Sequence, residues 1–518
     1  MMLLGALVIG VLGLPPAAAA DHLGTVVFPT SCSSTVQPTI ERGVALLHSF
    51  QYEEAAQEFT VAAHRDSSCA MCHWGKAMTL YHQLWDWPTT DALREGQREI
   101  TRAQQLGAKT ARERGYIAAA AAFFDAPRTS TRAGRIRAYS RQLATLHRRF
   151  PQDGEAAAFY ALSLVALAGE HVDDLANLRQ AILILEPVLG RQPSHPGAAH
   201  YLIHAADRPE LASLGLGAAR MYADIAPDSS HALHMPSHIF VRLGMWEETI
   251  ALNLRAATSG AHAAMEHRGD YTYEIHAMDY LRYAYLQRGM EAKARALHDE
   301  LSDVPAASDN EKMADRAYFA GHTAIELHRW TEAAALSIPT LEPSWLSDTF
   351  WARTIGAARS GDSGSARENL VRFRESLRAL QAGREAGSQS ASEMPITQLE
   401  AEAWVAFAEG KSDQALTYLH RAADREAADG GESVAVPARE MLADLLLEMK
   451  RPAESLSAYQ SVLKAAPNRF DALLGAARAA DALGDAAQVR GYYGQLIAVA
   501  AADADRPEIE TARAYLEK

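Results

Sequence analysis

Cysteine is scarce, with three residues in a chain of 518. That excludes a fold stapled by a disulfide framework. Basic residues are outnumbered: 50 Lys and Arg stand against 64 Asp and Glu, for a net charge of −14. No basic stripe interrupts this acidic balance, which argues against a nucleic-acid partner. Alternating β-branched runs are nearly absent, so a sheet fold is excluded. Beyond the first twenty residues no apolar run approaches the roughly 20 residues a membrane span requires. Gly-x-Ser-x-Gly, phosphate-loop and His-Glu-x-x-His patterns are all missing. What remains is 48% hydrophobic and 22% charged, rich in Ala, and incompatible with a disordered or collagen-like chain. The length exceeds one ordinary core, so several domains or a repeat array are expected.

Leu3 to Leu14 form an apolar run, followed by Ala17 to Ala20 and then Asp21. This pattern predicts a signal peptide over 1–20 and a periplasmic or secreted protein. The n-region departs from the usual pattern in carrying no Lys or Arg, and no Cys sits at the cleavage site. The rest is expected to be all-α. Gly43 with Ala55, Phe59 and Ala62 sets a frame in which two paired helices approach closely and one apolar face points inward. It recurs as Gly361, Ala366, Leu370 and Phe373; as Gly410, Ala415, Leu419 and Ala422; and as Ser455, Tyr459 and Val462. Gly244 with Thr249, Asn253 and Ala256 fits too. On these residues the chain resembles the tetratricopeptide repeat family, which implies a solenoid of helical hairpins of about 34 residues. One hairpin cannot bury its apolar face alone, and stacking supplies the core. The polar Gly- and Ser-bearing stretch 381–397 reads as a linker. It divides an array over 21–380 from a C-terminal array over 398–518.

Histidine carries the strongest local signal. Of twenty in the chain, His195, His200, His204, His231, His234, His238, His262, His267 and His276 crowd into about 80 residues. His200 and His234 are 34 apart, as are His204 and His238, and Arg208 and Arg242. Residues four apart share one helix face. Residues one repeat apart occupy equivalent places on neighbouring helices. The family's groove-lining places fall on Gly197, His200 and His204; on His231, His234 and His238; and on His276, Asp279 and Tyr283. Asp207, Asp279 and Glu274 are expected nearby. His200, His204, His231, His234, His238 and His276 are therefore expected to converge on one divalent metal, Cu or Zn, with Met235 a further soft donor. A polar groove without metal is the competing expectation. Pro236 is expected to kink or restart its helix, which would carry His234 off the shared face.

His195 to Ala206 together with His231 to Gly244 resemble a group of exported bacterial tetratricopeptide proteins bearing His-Pro-Gly and His-Met-Pro-Ser-His motifs. Tyr280 to Tyr285 and His328-Arg329-Trp330 belong to the same resemblance. It implies export and the repeat fold, and no mechanism. Cys69-Ala70-Met71-Cys72-His73 matches the Cys-x-x-Cys-His pattern of c-type haem attachment. The following Trp74 and Gly75, however, place these residues on a repeat helix. The resemblance implies instead a disulfide between Cys32 and Cys69, with Cys72 a buried thiol. Haem, free thiols and a metal stay open as alternatives. Trp85, Trp87 and Pro88 are expected to pack over the groove mouth, and Asp125-Ala126-Pro127 to turn. The reading is an exported repeat scaffold that binds a protein, peptide or small ligand in its groove, with a His-ligated metal. A periplasmic metalloenzyme using the same histidines is the alternative.

Overall fold

The computed structural model describes residues 22–84, 87–127, 129–170, 174–265, 271–304, 307–383, 394–431 and 434–518. The expected signal peptide, Trp85, His267 and most of the expected linker lie outside them. Among the described residues there are helices and no strand. The helices pair as α1 (Gln37–His48) with α2 (Tyr52–Arg65), α3 (Ala70–Met78) with α4 (Thr90–Leu106), and α5 (Ala111–Phe124) with α6 (Arg132–Arg149). Next come α7 (Gly154–Gly169) with α8 (Asp174–Arg191), and α9 (Pro196–Ala206) with α10 (Ala212–Ile225). The sixth unit splits its first helix into α11 (Ser230–His234) and α12 (Pro236–Arg242), packed on α13 (Trp246–Met265). Then follow α14 (Thr272–Gln287) with α15 (Glu291–Glu300), α16 (Asp309–Glu326) with α17 (Trp330–Ala334), and α18 (Ser347–Arg359) with α19 (Ser363–Gly383). The last units pair α20 (Ile396–Ala408) with α21 (Ser412–Asp429), α22 (Ala438–Glu448) with α23 (Pro452–Ala465), and α24 (Phe470–Ala482) with α25 (Ala486–Val499). α26 (Pro507–Leu516) closes the chain. The architecture is a tetratricopeptide-like all-α solenoid.

Local chemistry starts these helices where they start. Thr110 and Glu113 form a reciprocal capping box on α5, Ser308 and Glu311 another on α16, and Asp153 caps α7. Each satisfies amide donors that the first turn leaves without partners. Packing then uses small residues against rings. A Cβ on Gly75 of α3 would lie 2.2 Å from the Phe59 ring of α2. Phe59, Ala55 and Ala62 are fully buried, and burying a Phe side chain stabilises by about 1.5–3 kcal/mol. The close-approach role expected of the repeat glycines holds at Gly43 and Gly75, and also at Gly96, Gly356 and Gly475, where an added Cβ would lie 2.1, 2.5 and 2.2 Å from a neighbour. Gly244 and Gly410 occupy the hairpin turn with φ of +65° and +78°, and nothing lies within 4 Å of a Cβ placed on Gly410. These turns require a left-handed residue.

The solenoid turns back on itself twice. His48, at the end of α1, meets α9 across 153 residues, its Nδ1 2.8 Å from Tyr201 Oη. Further along, the start of α24 meets α14. The Phe470 amide donates to Gln287 Oε1 at 2.9 Å, and Arg469 lies between Glu326 and Glu440 at 2.9 and 2.6 Å. The loop after α21 also crosses to the centre. Arg208 donates to the carbonyls of Ala428 and Asp429, and Arg242 to that of Gly431. The two arginines spaced one repeat apart therefore bind the carbonyl-rich end of α21, where positive charge is favoured. Apolar residues of α18 and α19 share one cluster with those of α20 to α25, so helices on both sides of residues 384–393 pack together.

Candidate functional site

The histidines are set by how α9, α11 and α12 begin and end. His195 caps α9, its Nδ1 accepting from the Ala198 amide at 3.2 Å, and Pro196 fills the first turn where a missing donor costs nothing. His200 and His204 follow, one turn apart and facing the interior. Ser229 caps α11, which ends at His234. Pro236 then opens α12, but Met235 keeps right-handed helical dihedrals of −52° and −37°. The backbone thus continues through the break. His234 does not leave the face, contrary to expectation, and its Nε2 lies 3.1 Å from that of His238.

The six imidazoles come together as two triads, not as one convergent set. His200, His204 and His231 form the first, and His234, His238 and His276 the second, each with its ligand atoms within 4.8 Å of one another. In the first, His200 Nε2 lies 3.1 Å from His204 Nε2 and 3.0 Å from His231 Nε2. The reason for the partition is geometric. Each triad takes two residues four apart from one hairpin and a third from the next, so successive hairpins build successive sets.

Behind the rings, the other nitrogens are held. His200 Nδ1 donates to the His48 carbonyl at 2.5 Å. His234 Nδ1 faces Asn253 Oδ1 at 2.7 Å. The Asn253 amide nitrogen is itself committed to Ser237 Oγ and the Thr249 carbonyl, so Oδ1 accepts from His234. His238 Nδ1 donates to Asp207 Oδ2 at 2.8 Å, and Arg242 holds the other carboxylate oxygen at 2.9 Å. Burial alone would raise the Asp207 carboxyl, but Arg242 and His238 outweigh it and hold it below the usual carboxylate range. The Nε2 atoms of His234 and His238 face each other in front of these supports. Carboxylate and amide partners of this kind orient metal-ligating imidazoles.

The site is enclosed. His200, His231 and His234 are buried, His204 and His238 partly so, and His276 reaches the exposed rim. Phe50 covers the first triad with ring centroids 4.4 Å from His200, and Tyr280 covers the second, 4.6 Å from His234. Tyr273 donates to the Phe50 carbonyl at 3.1 Å and so ties the seventh unit to the first. Desolvation, then neighbouring imidazoles, pushes His200, His204, His231 and His234 well below the ordinary histidine value. His276 is lowered to about 4 by burial and by His238.

Other expected residues lie elsewhere. Gly197 leaves room for His48, since a Cβ there would sit 2.3 Å from its Nδ1. Asp279 pairs with Arg282 and accepts from Tyr318, Tyr283 packs on Trp246, and Glu274 and His262 line a separate outer cavity of about 520 Å³. Met235 is fully buried in the apolar cluster with Leu202, Tyr222 and Ile239. Trp87 packs on Phe123 and under Arg132. Cys32 and Cys69 are joined by a disulfide. Cys69 also caps α3, His73 meets Glu99 at 2.6 Å, and burial pushes the free Cys72 thiol up to about 12. His48 and Phe50 were not read from the sequence, and Asn253 and Tyr280 were read there only as a packing position and as part of the resemblance, not as site residues. Their only signal was position, at hairpin ends and one helix away from the histidines.

No protein-family model matches the chain, and no curated protein matches it. Similar solved structures include the human IFIT1 dimer with m7Gppp-AAAA, at 13% identity over 91% of each chain and a TM-score of 0.33. A monomeric IFIT1 mutant with Gppp-AAAA is 12% identical over 91% of this chain and 98% of that one, with a TM-score of 0.37. Likeness at this level transfers no ligand.

Proposed function

We propose that this protein is an exported tetratricopeptide-like scaffold whose superhelix encloses a histidine-ligated transition-metal centre open to a small ligand. The carrying observation is the pair His234 and His238, whose Nε2 atoms face each other at 3.1 Å with their Nδ1 atoms held from behind by Asn253 and Asp207. One cation bound to both nitrogens would take the place of the proton that otherwise bridges them. Neutral imidazole suits Zn and Cu, and copper tops the divalent affinity order. The depressed histidine values support the same reading, because ligands must be deprotonated to bind. The Cys32–Cys69 disulfide supports an oxidising compartment. A peptide threading the groove is disfavoured, because Phe50 and Tyr280 pack directly on the rings. Three-nitrogen ligation leaves coordination positions for substrate, which favours the metalloenzyme reading over a purely structural metal. The test is metal analysis of tag-free protein purified from the periplasmic or secreted fraction. Stoichiometric copper or zinc is expected, and replacing both His234 and His238 by Ala should remove metal from the second triad. Wild-type protein that carries and takes up none at neutral pH would leave a polar ligand surface and end this reading.

A further inference from the structure

Resting on that reading, we infer that the six histidines form two equivalent sites holding a pair of late first-row metal ions side by side. His200, His204 and His231 hold one, and His234, His238 and His276 the other. Duplication is the first argument. His200 and His204 are carried by one hairpin, His234 and His238 by the next, 34 residues on. Each pair is completed by a histidine further along the chain, His231 from α11 and His276 from α14. The same construction is thus made twice.

Reach is the second argument. Nitrogens on opposite sides of one ion at 2.0–2.1 Å are about 4.2 Å apart at most. Within the triads the His200–His204, His200–His231 and His234–His238 Nε2 separations are 3.1, 3.0 and 3.1 Å. At 2.0–2.1 Å ligation these correspond to angles near a right angle at the ion for each of those three pairs. Between the triads, the His204 and His238 rings lie 6.2 Å apart by their centroids. Ring spacing alone does not part the sets, since the His204 and His231 rings within the first triad are 6.4 Å apart; it is the ligand atoms, grouped within 4.8 Å inside each triad, that divide into two neighbouring sets.

Independent support is the third argument. The first triad is braced from α1, by the His48 carbonyl on His200 Nδ1. His48 is itself fixed by Glu155 at 2.6 Å and by Tyr201. The second triad is braced by Asp207 and Asn253. Two separate supports behind two separate sets are what two ions require. A single ion would need only one set braced. The donor set is all imidazole, which selects Cu(II) or Zn(II) over the oxygen-seeking Mg(II) and Ca(II).

Titration of metal-free full-length protein with Cu(II) tests the inference, followed by elemental analysis after removal of loose ion and by electron paramagnetic resonance. The wild type should retain two ions per chain, with a broadened or lost resonance signal from their proximity. His204→Ala should weaken the first site and His276→Ala the second, each by at least about 10²-fold. Each variant should keep one ion with a sharp isolated signal. Circular dichroism confirms that the variants remain folded, and wild-type stoichiometry decides the matter if either does not. One ion per wild-type chain, lost in either variant, overturns the paired arrangement and leaves the metal reading intact. Two ions with two unperturbed isolated signals overturn their proximity. No retained ion overturns the metal reading itself.

Discussion

Individual residues in this site are held in states that cost free energy. Phe50 has φ of +56° in a turn where Gly244, Gly289, Gly361, Gly410 and Gly484 occupy the equivalent position of other hairpins and His328 and Lys450 that of two more, at a cost of about 1–3 kcal/mol. Removing a buried Phe side chain costs about 3–5 kcal/mol, so the ring packed on His200 outweighs the strain. The buried imidazoles carry a second cost, visible as pH dependence. In the unfolded chain they take up protons near 6.5. In the folded chain His200, His204, His231 and His234 stay neutral well below that, and His276 does so down to about 4. Their folded values are depressed, so the unfolded state binds more protons on acidification. Stability is complete above about pH 6.5 and falls as pH drops through that value toward the folded ones. Thermal melts of metal-free protein should show a lower midpoint at pH 5 than at pH 7.5. An unchanged midpoint would show that these rings are not desolvated in the folded state.

At the scale of elements, the break between α11 and α12 shows how a helix tolerates proline. Pro236 lies at the first position of α12, and Met235 before it keeps helical dihedrals, so the chain pivots without losing the i,i+4 register that pairs His234 with His238. The N-terminal segment is tied differently. Residues 22–30 before α1 carry no regular structure and 31–36 bend and turn into it, and the Cys32–Cys69 disulfide fastens this segment to the cap of α3 across a separation of 37 residues. In the chain-entropy picture such a loop contributes about 3–4 kcal/mol. Replacing both cysteines by serine should lower resistance to denaturant in the first units, with little change in metal binding. Limited proteolysis with and without reductant reads this directly. Equal cleavage of α1 and α2 in both conditions would mean that packing alone holds the segment.

For the whole molecule, closure of the superhelix decides what the groove becomes. The α1 end lies on α9, Tyr273 reaches Phe50, and Arg208 and Arg242 hold the end of α21 beside the site. On the far side the lock is Arg469, fully buried between Glu326 and Glu440 and donating to Tyr283. Removing one member of a buried ion group leaves uncompensated charge and costs about 3–5 kcal/mol. Arg469→Ala should therefore separate the C-terminal hairpins from α14 without unfolding the first six units. Hydrogen exchange should rise in α14, α22 and α24 and stay low in α9. Uniformly raised exchange would show one cooperative unit in place of this seam.

Helix-period spacing and the doubled 34-residue interval determined the repeat fold, the His200–His204 and His234–His238 pairings, and the adjacency of the two pairs. These are local properties, fixed by 3.6 residues per turn and by one hairpin per repeat. The sequence did not contain the division into two triads, nor which nitrogen of each ring faces inward. That depends on His48, Asp207 and Asn253, whose partners lie 152, 31 and 19 residues away. Nor could it show that the groove is shut. Closure accumulates from the small rotation between successive hairpins, summed over many repeats. No single repeat carries that sum in its residues, so only the tertiary structure decides whether the histidines line an open surface or an enclosed centre.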